Sequence, residues 1–431
     1  MLDIKFIREN AEEVKKNCKL RNIKCDIDEL LKLDEKRRSL VQYAEELNAE
    51  KNKINEIMKI SEDKKEKEEL ISQGKAVKEK MEKIQPELEE VEKEYRTLLL
   101  QVPNMTHPDS PIGKNDSENK EIERYGEPPK FNFEPKGHEE LMTELDIIDF
   151  ERGAKVAGSK FYFLKNEAVF LEQALINFAF QKLIKKGFVP FSTPDLAKDK
   201  VLLGIGYNPR GAETQIYSVE NTDLNLVGTA EITMGGYHMD EVISEDKLPL
   251  KYVALSHCYR TEAGSYGRHS SGLYRVHQFT KVEMFAYTTP ETSEAMHTEL
   301  KNIEVEIFKD LGVPFRVVDI CTGDLGGPAQ RKYDLEAWMT SRQDWGEVTS
   351  TSDTTSYQAR RLNVKVERKD GKKEYLHMLN GTAVAISRAL IAIIENYQQV
   401  DGSVLIPEVL KPFMPEGMEK ISAKFKDQNA K

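Results

Sequence analysis

The sequence predicts an α+β protein, in which an antiparallel β-sheet flanked by helices follows an N-terminal antiparallel helical coiled-coil hairpin. Near the N-terminus, apolar residues recur in alternating steps of four and three through two charged segments, which is the spacing of a coiled-coil seam. Later strand-like runs lack the regular strand–helix alternation that a parallel sheet requires. These two patterns divide the chain into a helical part and a larger, sheet-containing part.

The hairpin is predicted from two seams, at residues 33–58 and 70–98. The polar segment 59–69 between them is short, so we expect the two helices to fold back against each other. We assign residues 1–102 to an N-terminal domain, with the hairpin at about 30–100. A coiled coil that joins two chains is the alternative interpretation of the same pattern.

Proline and glycine density marks a boundary after the hairpin. Residues 103–137 contain six prolines and three glycines, and we interpret them as a linker. The sheet-containing part then covers residues 138–417, and the polar residues 418–431 form a loose tail. In that part, periodicity and composition predict a helix at 167–186 and strands at 252–256, 278–286 and 315–319.

Composition is that of an ordinary globular protein. The chain has 431 residues, of which 39% are hydrophobic and 32% charged, so it has room for two or three domains. Its 74 acidic and 63 basic residues give a net charge of −11, which excludes nucleic-acid binding by overall charge attraction. We found neither a signal peptide nor an apolar run that could span a membrane. We therefore expect a cytoplasmic protein with no membrane or DNA partner.

One segment concentrates residues suited to phosphate chemistry. Arg260, Arg268 and Arg275 lie on two strand-like ends and the Gly/Ser-rich loop between them. Guanidinium groups suit bidentate recognition of phosphate oxygens, and glycines allow such a loop to close over a ligand. Because a single arginine in a hairpin more often pairs with a surface carboxylate, the prediction depends on the cluster.

Three segments resemble the signature motifs of class II aminoacyl-tRNA synthetases. Residues 187–194, which follow an amphipathic helix, resemble the first motif. Residues 259–262 resemble the arginine-x-glutamate core of the second, and residues 380–388 resemble the third. The third motif has one glycine where three are usual, a pattern similar to the seryl branch.

The resemblance to the bacterial type of seryl-tRNA synthetase covers nearly the whole chain. It includes the helical hairpin and residues 1–10, 228–231, 260–283 and 358–362. Thr349 and residues 351–356 depart from the pattern that is more usual in the family, where serine, asparagine and cysteine are found.

The resemblance implies a serine–tRNA ligase. Such an enzyme activates L-serine with ATP to seryl-adenylate and transfers the seryl group to the 3′ end of tRNA(Ser), with tRNA(Sec) as a further expected substrate. It also implies a homodimer in which the hairpin lies against the long variable arm of the tRNA and serves the active site of the other subunit. Adenylate formation needs fixed positive charge and rigid placement of both reactants, but no protein nucleophile.

The resemblance also assigns residues to the nucleotide. Arg260 and Arg388 are the expected catalytic residues, with Arg260 on the α-phosphate and the serine carboxylate. Arg275 and Arg388 would hold the outer phosphates, Glu262 the adenine amino group, and Arg388 and Phe279 the two faces of adenine. Glu347 and Ser350 would bind Mg²⁺ together with ATP, as hard oxygen ligands suit that ion. The complete ATP-binding set is Arg260, Thr261, Glu262, Arg275, Phe279, Glu347, Val348, Thr349, Ser350 and Arg388.

The serine-binding set that the resemblance implies is Thr229, Ala230, Glu231, Arg260, Glu283, Asn380 and Thr382. Thr229, Glu231 and Glu283 supply acceptors for the ammonium and hydroxyl groups, and which acceptor takes which donor stays open. A site built around a hydroxyl rejects alanine, because alanine would leave buried polar groups unpaired. Without the resemblance, a Thr-Ala-Glu triplet equally suits a helix N-cap with a carboxylate in the first turn.

Three related functions are alternatives. A relative that aminoacylates a carrier protein would lack the long hairpin, and an inactive coiled-coil scaffold would have no reason to retain Arg260, Glu262, Glu347, Ser350 and Arg388. A zinc-dependent seryl enzyme would need a thiolate and further ligands that converge on the pocket. The four cysteines, Cys18, Cys25, Cys258 and Cys321, form no CxxC pair, so we expect no zinc.

Overall fold

The computed structural model describes residues 1–208, 215–263 and 272–423. These residues form two compact units, Met1–Met105 and Thr106–Lys431. The helices are α1 (Ile4–Glu9), α2 (Ala11–Leu20), α3 (Ile27–Ile60), α4 (Lys64–Gln101), α5 (His138–Glu144), α6 (Phe150–Ala157), α7 (Glu167–Lys185), α8 (Asp199–Ile205), α9 (Ala230–Gly236), α10 (Ser293–Asp310), α11 (Tyr357–Leu362) and α12 (Ile386–Asn396).

The strands are β1 (Lys120–Tyr125), β2 (Ile148–Asp149), β3 (Phe163–Leu164), β4 (Val189–Ser192), β5 (Leu196–Lys198), β6 (Leu224–Leu226), β7 (Val242–Ser244), β8 (Leu250–Tyr259), β9 (Gln278–Thr288), β10 (Phe315–Asp319), β11 (Arg331–Met339), β12 (Asp344–Asp353), β13 (Lys365–Glu367), β14 (Lys373–Tyr375), β15 (His377–Ala385), β16 (Val404–Leu405) and β17 (Lys420–Ile421).

The first unit contains the predicted antiparallel hairpin, formed by α3 and α4. Lys36 near the start of α3 pairs with Glu87 late in α4, whereas Ile54 lies beside Gly74, so the two helices run in opposite directions. The facing seam buries Leu47, Ile54, Leu70 and Val77. A second apolar cluster at the base of the hairpin joins α1 and α2 to the ends of α3 and α4.

The turn of the hairpin is shorter than predicted. We expected the connection at residues 59–69, but α3 continues to Ile60 and α4 begins at Lys64. Asp63 is the N-cap of α4, and its carboxylate accepts from the Lys65 amide at 2.9 Å. The Lys and Glu residues that follow are good helix formers, so charge alone did not indicate a loop there.

The second unit is built on an eight-stranded sheet in the order β1-β10-β11-β12-β15-β9-β8-β4. All neighbouring strands are antiparallel except β4 and β8, which confirms the predicted antiparallel sheet with flanking helices. The three predicted strands are found as parts of β8, β9 and β10, and the predicted helix as α7.

The main core lies between this sheet and the apolar faces of α7, α10 and α12, and it includes Leu175, Phe308 and Leu390. A second core packs α8, α9 and α11 against β8, β9 and β15. Helix α10 covers one face of the central strands, where Thr349 Oγ1 of β12 donates to Glu304 Oε2 at 2.9 Å. The opposite face of those strands is left to line a cavity.

Two segments predicted to be a linker and a loose tail contain strands that the sequence pattern did not indicate. The predicted linker 103–137 contains β1, which pairs with β10 as an edge strand because alternate residues of Lys120–Tyr125 are half-buried against the sheet. The predicted loose tail 418–431 contains β17, which pairs with β16 and buries Ile421 completely. Residues 424–431 of that tail, like Arg268 of the arginine cluster, lie outside the described residues.

Within the described ranges, no helix combines the length and the apolar character that crossing a membrane requires. The four cysteines, all within these ranges, are free thiols, and Cys18, Cys258 and Cys321 are buried.

The seam gives a stability prediction, because Leu70 and Ile71 are neighbours on α4 with 6% and 47% exposure. Leu70→Ala should destabilise the hairpin by about 2–3 kcal/mol through lost burial and a residual cavity. Ile71→Ala, the matched control, should cost less than about 1 kcal/mol. Hydrogen exchange of the hairpin amides in the full chain measures both effects. Equal acceleration of exchange in the two variants would contradict the assigned seam.

Candidate active site

A cavity of about 360 Å³ lies on the face of the central sheet that α10 does not cover. Its walls come from β9, β12 and β15, the start of α9 and α12, and the two ends of the β8–β9 connection. It is lined by all but two of the predicted site residues: Thr229, Glu231, Arg260, Glu262, Arg275, Phe279, Glu283, Glu347, Val348, Thr349, Ser350, Asn380, Thr382 and Arg388.

Strand alternation explains how distant segments meet here. Phe279, Lys281 and Glu283 are spaced by two along β9, so their side chains project from the same face of the sheet. Thr382 of β15 lies directly opposite Glu283 in the antiparallel register. The predicted second and third motifs are therefore adjacent because β9 and β15 pair.

Three residues form a charged triad on the cavity floor. Lys281 Nζ lies 2.5 Å from Glu283 Oε2, and Thr382 Oγ1 donates to the same oxygen at 3.1 Å. Lys281 Nζ also lies 3.3 Å from Thr382 Oγ1. Glu283 is 1% exposed, and the paired ammonium offsets the cost of burying its charge. Sequence analysis missed Lys281, although its spacing from Glu283 on a strand was a usable signal.

Glu231 is held by amides rather than by a cation. Thr229 is the N-cap of α9 and accepts from the Glu231 amide at 3.2 Å, so the Thr-Ala-Glu triplet does form a helix cap. Glu231 Oε1 accepts from Gln358 Nε2 at 2.8 Å and from Asn380 Nδ2 at 3.0 Å. Desolvation, together with the negative charge of Glu283, raises the pKa of Glu231 to about 7.

The charged residues around the second motif each contact a neighbouring group. Arg260 Nε donates to the Gly228 carbonyl at 3.3 Å, and its guanidinium lies over the Phe279 ring at 5.3 Å. Arg275 NH1 lies 3.2 Å from Glu262 Oε2. Glu262 has a φ of +50°, an unfavourable conformation for glutamate, which indicates that the surrounding structure fixes its orientation.

The third motif places Arg388 against Glu347. Arg388 NH1 lies 2.9 Å from Glu347 Oε1 and donates to the Glu347 carbonyl at 3.0 Å. Its guanidinium lies 4.8 Å from the centre of the Tyr274 ring. Desolvation opposes ionisation of Glu347, but the positive charges of Arg388 and Lys332 outweigh it and lower the pKa of Glu347 to about 2. Glu347 is therefore ionised at neutral pH.

The residues predicted to bind Mg²⁺ fit that ion. Glu347 and Ser350 both line the cavity, and Asp334 lies opposite Ser350 on β11 with its buried Oδ1 lacking a hydrogen-bond partner within the described residues. Mg²⁺ shared with substrate phosphates needs only one or two protein carboxylates. Across the described part of the chain, no group of three or more His, Cys, Asp or Glu residues could hold a metal ion by itself.

Three residues of the predicted binding sets present no side-chain oxygen to the cavity, and their assignment to a ligand stays a prediction. Ala230 is fully buried in the core, and Thr261 does not line the cavity, although its amide donates to the Gln215 carbonyl at 3.1 Å. The hydroxyl of Thr349 donates to Glu304 on the opposite face of the sheet, so this unusual residue contributes no side-chain oxygen to the cavity. The residues that sequence analysis missed in the cavity wall are Tyr207, Tyr274, Val276, Lys281, Lys332, Ser352, Ala385 and Ser387.

Comparison with known proteins agrees with this geometry. Residues 216–397 match the family model of the tRNA synthetase class II core domain (G, H, P, S and T), and residues 1–106 match that of the seryl-tRNA synthetase N-terminal domain. The serine–tRNA ligase of Treponema denticola is 57% identical over 415 residues, which cover 96% of this chain and 98% of that protein. The ligase of Rubrobacter xylanophilus is 54% identical, over 96% and 98% of the two chains.

Solved structures show the same likeness. The seryl-tRNA synthetase from Pyrococcus horikoshii, crystallised with ATP, matches with a TM-score of 0.89 at 40% identity, covering 99% of this chain and 100% of that one. Identity and coverage at these levels extend over both compact units. The chain therefore belongs to the seryl-tRNA synthetase family and is a serine–tRNA ligase, an aminoacyl-tRNA synthetase of class II.

Proposed function

We propose that the cavity binds ATP and L-serine side by side and joins them as seryl-adenylate before transfer to tRNA. The observation that carries this proposal is the content of one cavity, in which Arg260, Arg275 and Arg388 are combined with the acceptors Glu231 and Glu283. Guanidinium groups suit the phosphates, and the carboxylates suit a small zwitterion with a hydroxyl group. The Pyrococcus horikoshii relative was crystallised with ATP, which supports nucleotide binding by this chain.

In the activation step, a serine carboxylate oxygen attacks the α-phosphorus, and pyrophosphate leaves. Arg260 is the group we assign to the α-phosphate and the serine carboxylate, because it lies between Gly228 and Phe279 in the cavity wall. Its fixed charge would stabilise the transition state without reorganisation. Mg²⁺ held by Glu347 and Ser350 would neutralise phosphate charge.

The remaining nucleotide contacts follow from the ion pairs. Glu262 and Arg275 hold each other, so each is oriented before the ligand binds. We assign Glu262 to the adenine amino group, Arg275 and Arg388 to the outer phosphates, and Phe279 and Arg388 to the two faces of the base. All four of these side chains line the cavity.

The different partners of Glu231 and Glu283 suggest different roles for these two carboxylates toward serine. Glu283 is neutralised by Lys281 and already accepts from Thr382, which suits a neutral hydroxyl. Glu231 has only amide partners among the described residues, so it is the better acceptor for the positive ammonium. This arrangement would reject alanine by roughly 10²-fold, because the triad would lose a hydrogen bond.

We assign the N-terminal hairpin to tRNA(Ser). Its helices extend over α3 and α4 and carry basic side chains that reach solvent among acidic ones. A mixed surface of this kind binds RNA through shape and local phosphate contacts, so affinity should fall with salt. The exposed lysines include Lys51, Lys53, Lys64, Lys65, Lys75 and Lys78. Activity toward tRNA(Sec) and a cytoplasmic location stay predictions.

We propose a homodimer that associates through the edge of the sheet formed by β4. β4 is the outermost strand on one side, and its Val189 is 51% exposed. Phe170 of the preceding α7 is 47% exposed. Exposed apolar residues beside an unpaired strand edge favour association with a second copy. In this arrangement the hairpin of one subunit serves the cavity of the other.

Arg260→Ala should lower serine-dependent exchange of pyrophosphate into ATP by roughly 10³-fold, because the transition state loses its charge contact. Circular dichroism should show an unchanged fold. Arg152→Ala is the control, since Arg152 pairs with Asp149 at 2.7 Å on the surface of α6, and it should exchange normally. Exchange at the wild-type rate in Arg260→Ala would reject the assigned role.

Removal of residues 40–88, with Ser39 joined to Glu89 through a short glycine-containing turn, should separate the two reactions. The deletion removes the seam cluster but keeps the basal cluster that includes Ile7, Ile27 and Leu99. Adenylate formation should persist, whereas charging of tRNA(Ser) should fall by at least about 10²-fold through lost phosphate contacts. If both reactions fell equally, the hairpin would have no separate function in tRNA binding.

Charged substitutions in the proposed interface test the dimer. Phe170→Glu combined with Val189→Glu should sediment as a monomer at micromolar concentration, because two charges would be buried without partners. Ile112→Glu changes an apolar residue that is 76% exposed elsewhere and should leave the dimer intact. A wild-type monomer, or a double variant that still dimerises, would exclude this interface.

A further inference from the structure

We propose that Gln358 is a positioning residue for serine binding, because its amide holds one oxygen of the Glu231 carboxylate and leaves the other for the serine ammonium. This inference rests on the proposed assignment of Glu231 to that ammonium. Gln358 belongs to α11, is fully buried and does not line the cavity, so it acts on substrate only through Glu231.

Both hydrogens of the Gln358 side-chain amide are donated to acceptors in the protein. Nε2 donates to Glu231 Oε1 at 2.8 Å and to the Ile205 carbonyl at 3.1 Å, which accounts for both of its hydrogens. Its Oε1 lies 3.1 Å from the hydroxyl of Thr354, whose single hydrogen can go either to this oxygen or to the Met378 carbonyl at 2.7 Å. The Ile205 carbonyl accepts only from the nitrogen end of the amide. These partners distinguish the two ends of the amide and fix the nitrogen toward Glu231.

The same contacts give the two carboxylate oxygens of Glu231 different roles. Asn380 Nδ2 also donates to Oε1, at 3.0 Å, so both amides converge on one oxygen. Within the described residues, no hydrogen-bond partner reaches Oε2. A carboxylate oriented in this way presents an acceptor at fixed geometry. Binding of an ammonium to it therefore costs less conformational entropy.

Electrostatics gives the contact a measurable signature. Desolvation and the negative charge of Glu283 raise the pKa of Glu231, whereas Gln358, Lys281 and Arg260 lower it, and the result is about 7. The phenol of Tyr207 also lies within electrostatic range of Glu231. Loss of the Gln358 donors would raise the pKa of Glu231 further. Because only the ionised carboxylate pairs well with an ammonium, serine binding would then weaken most at and below neutral pH.

The test is Gln358→Met, which keeps a similar shape and removes both donors. In serine-dependent pyrophosphate exchange at pH 7, the KM for serine should rise roughly 10-fold, while the KM for ATP stays within about twofold. The rise should shrink toward about pH 8.5, since Glu231 is then ionised in both proteins. Gln398→Met is the matched control, because Gln398 is equally buried and donates to the Lys136 and Glu395 carbonyls away from the cavity.

Two further variants keep the test decisive. Thr354→Val leaves Gln358 in place but removes the hydroxyl beside its amide oxygen, and the KM for serine should rise about threefold. Glu231→Gln should raise the KM for serine by more than about 10²-fold. If Glu231→Gln binds serine normally, the assignment of Glu231 is wrong.

If Glu231→Gln loses serine binding but Gln358→Met keeps the wild-type KM and pH dependence, the positioning role is wrong. An equal rise in the KM values for serine and ATP would also overturn it, as that pattern indicates general damage to the site. If Gln358→Met does not fold, the serine KM of Thr354→Val decides, and an unchanged value there would reject the proposal.

Discussion

The site depends on charge compensation at a sheet face that holds several carboxylates out of water. An ionised carboxylate removed from water is costly unless a cation or strong hydrogen-bond donors accompany it. The structure pairs Glu283 with Lys281, Glu347 with Arg388, and Asp334 with Lys332. Glu231 is the exception among these four carboxylates, because its hydrogen-bond partners are amides. A buried carboxylate without a paired cation gains most from an incoming ammonium, which is why we propose Glu231 as the acceptor for the amino group of serine.

The strand pairing of the sheet determines where these charged side chains lie. Pairing of β9 with β15 brings Glu283 and Thr382, which are far apart in sequence, within hydrogen-bond distance, and pairing of β11 with β12 places Asp334 opposite Ser350. Alternation along each strand then separates the two faces. Ser350 and Ser352 line the cavity, and Thr349 also borders it while its hydroxyl donates to Glu304 on α10 behind the sheet. A buried carboxyl group on α10 thus supports the segment that carries the proposed Mg²⁺ ligands.

Sequence patterns predicted the architecture well and the contacts less well. Seam spacing gave the two helices, and strand-like composition gave β8, β9 and β10, because both depend on local periodicity. The strand β1 was missed, since its surroundings are rich in proline and its partner β10 is nearly two hundred residues away. Motif resemblance identified most of the cavity wall. It could not show that Lys281 neutralises Glu283, or that Gln358 reaches Glu231, because those contacts exist only after the strands and α11 have packed.

We propose that one cavity activates serine with ATP. Pyrophosphate exchange by the purified full chain with Mg²⁺, measured separately with each of the twenty amino acids, tests it most directly. We expect exchange with L-serine to exceed exchange with alanine by at least about 10²-fold, because only serine completes the hydrogen bonds of the Lys281–Glu283–Thr382 triad. Absence of serine-dependent exchange, or faster exchange with another amino acid, would contradict it.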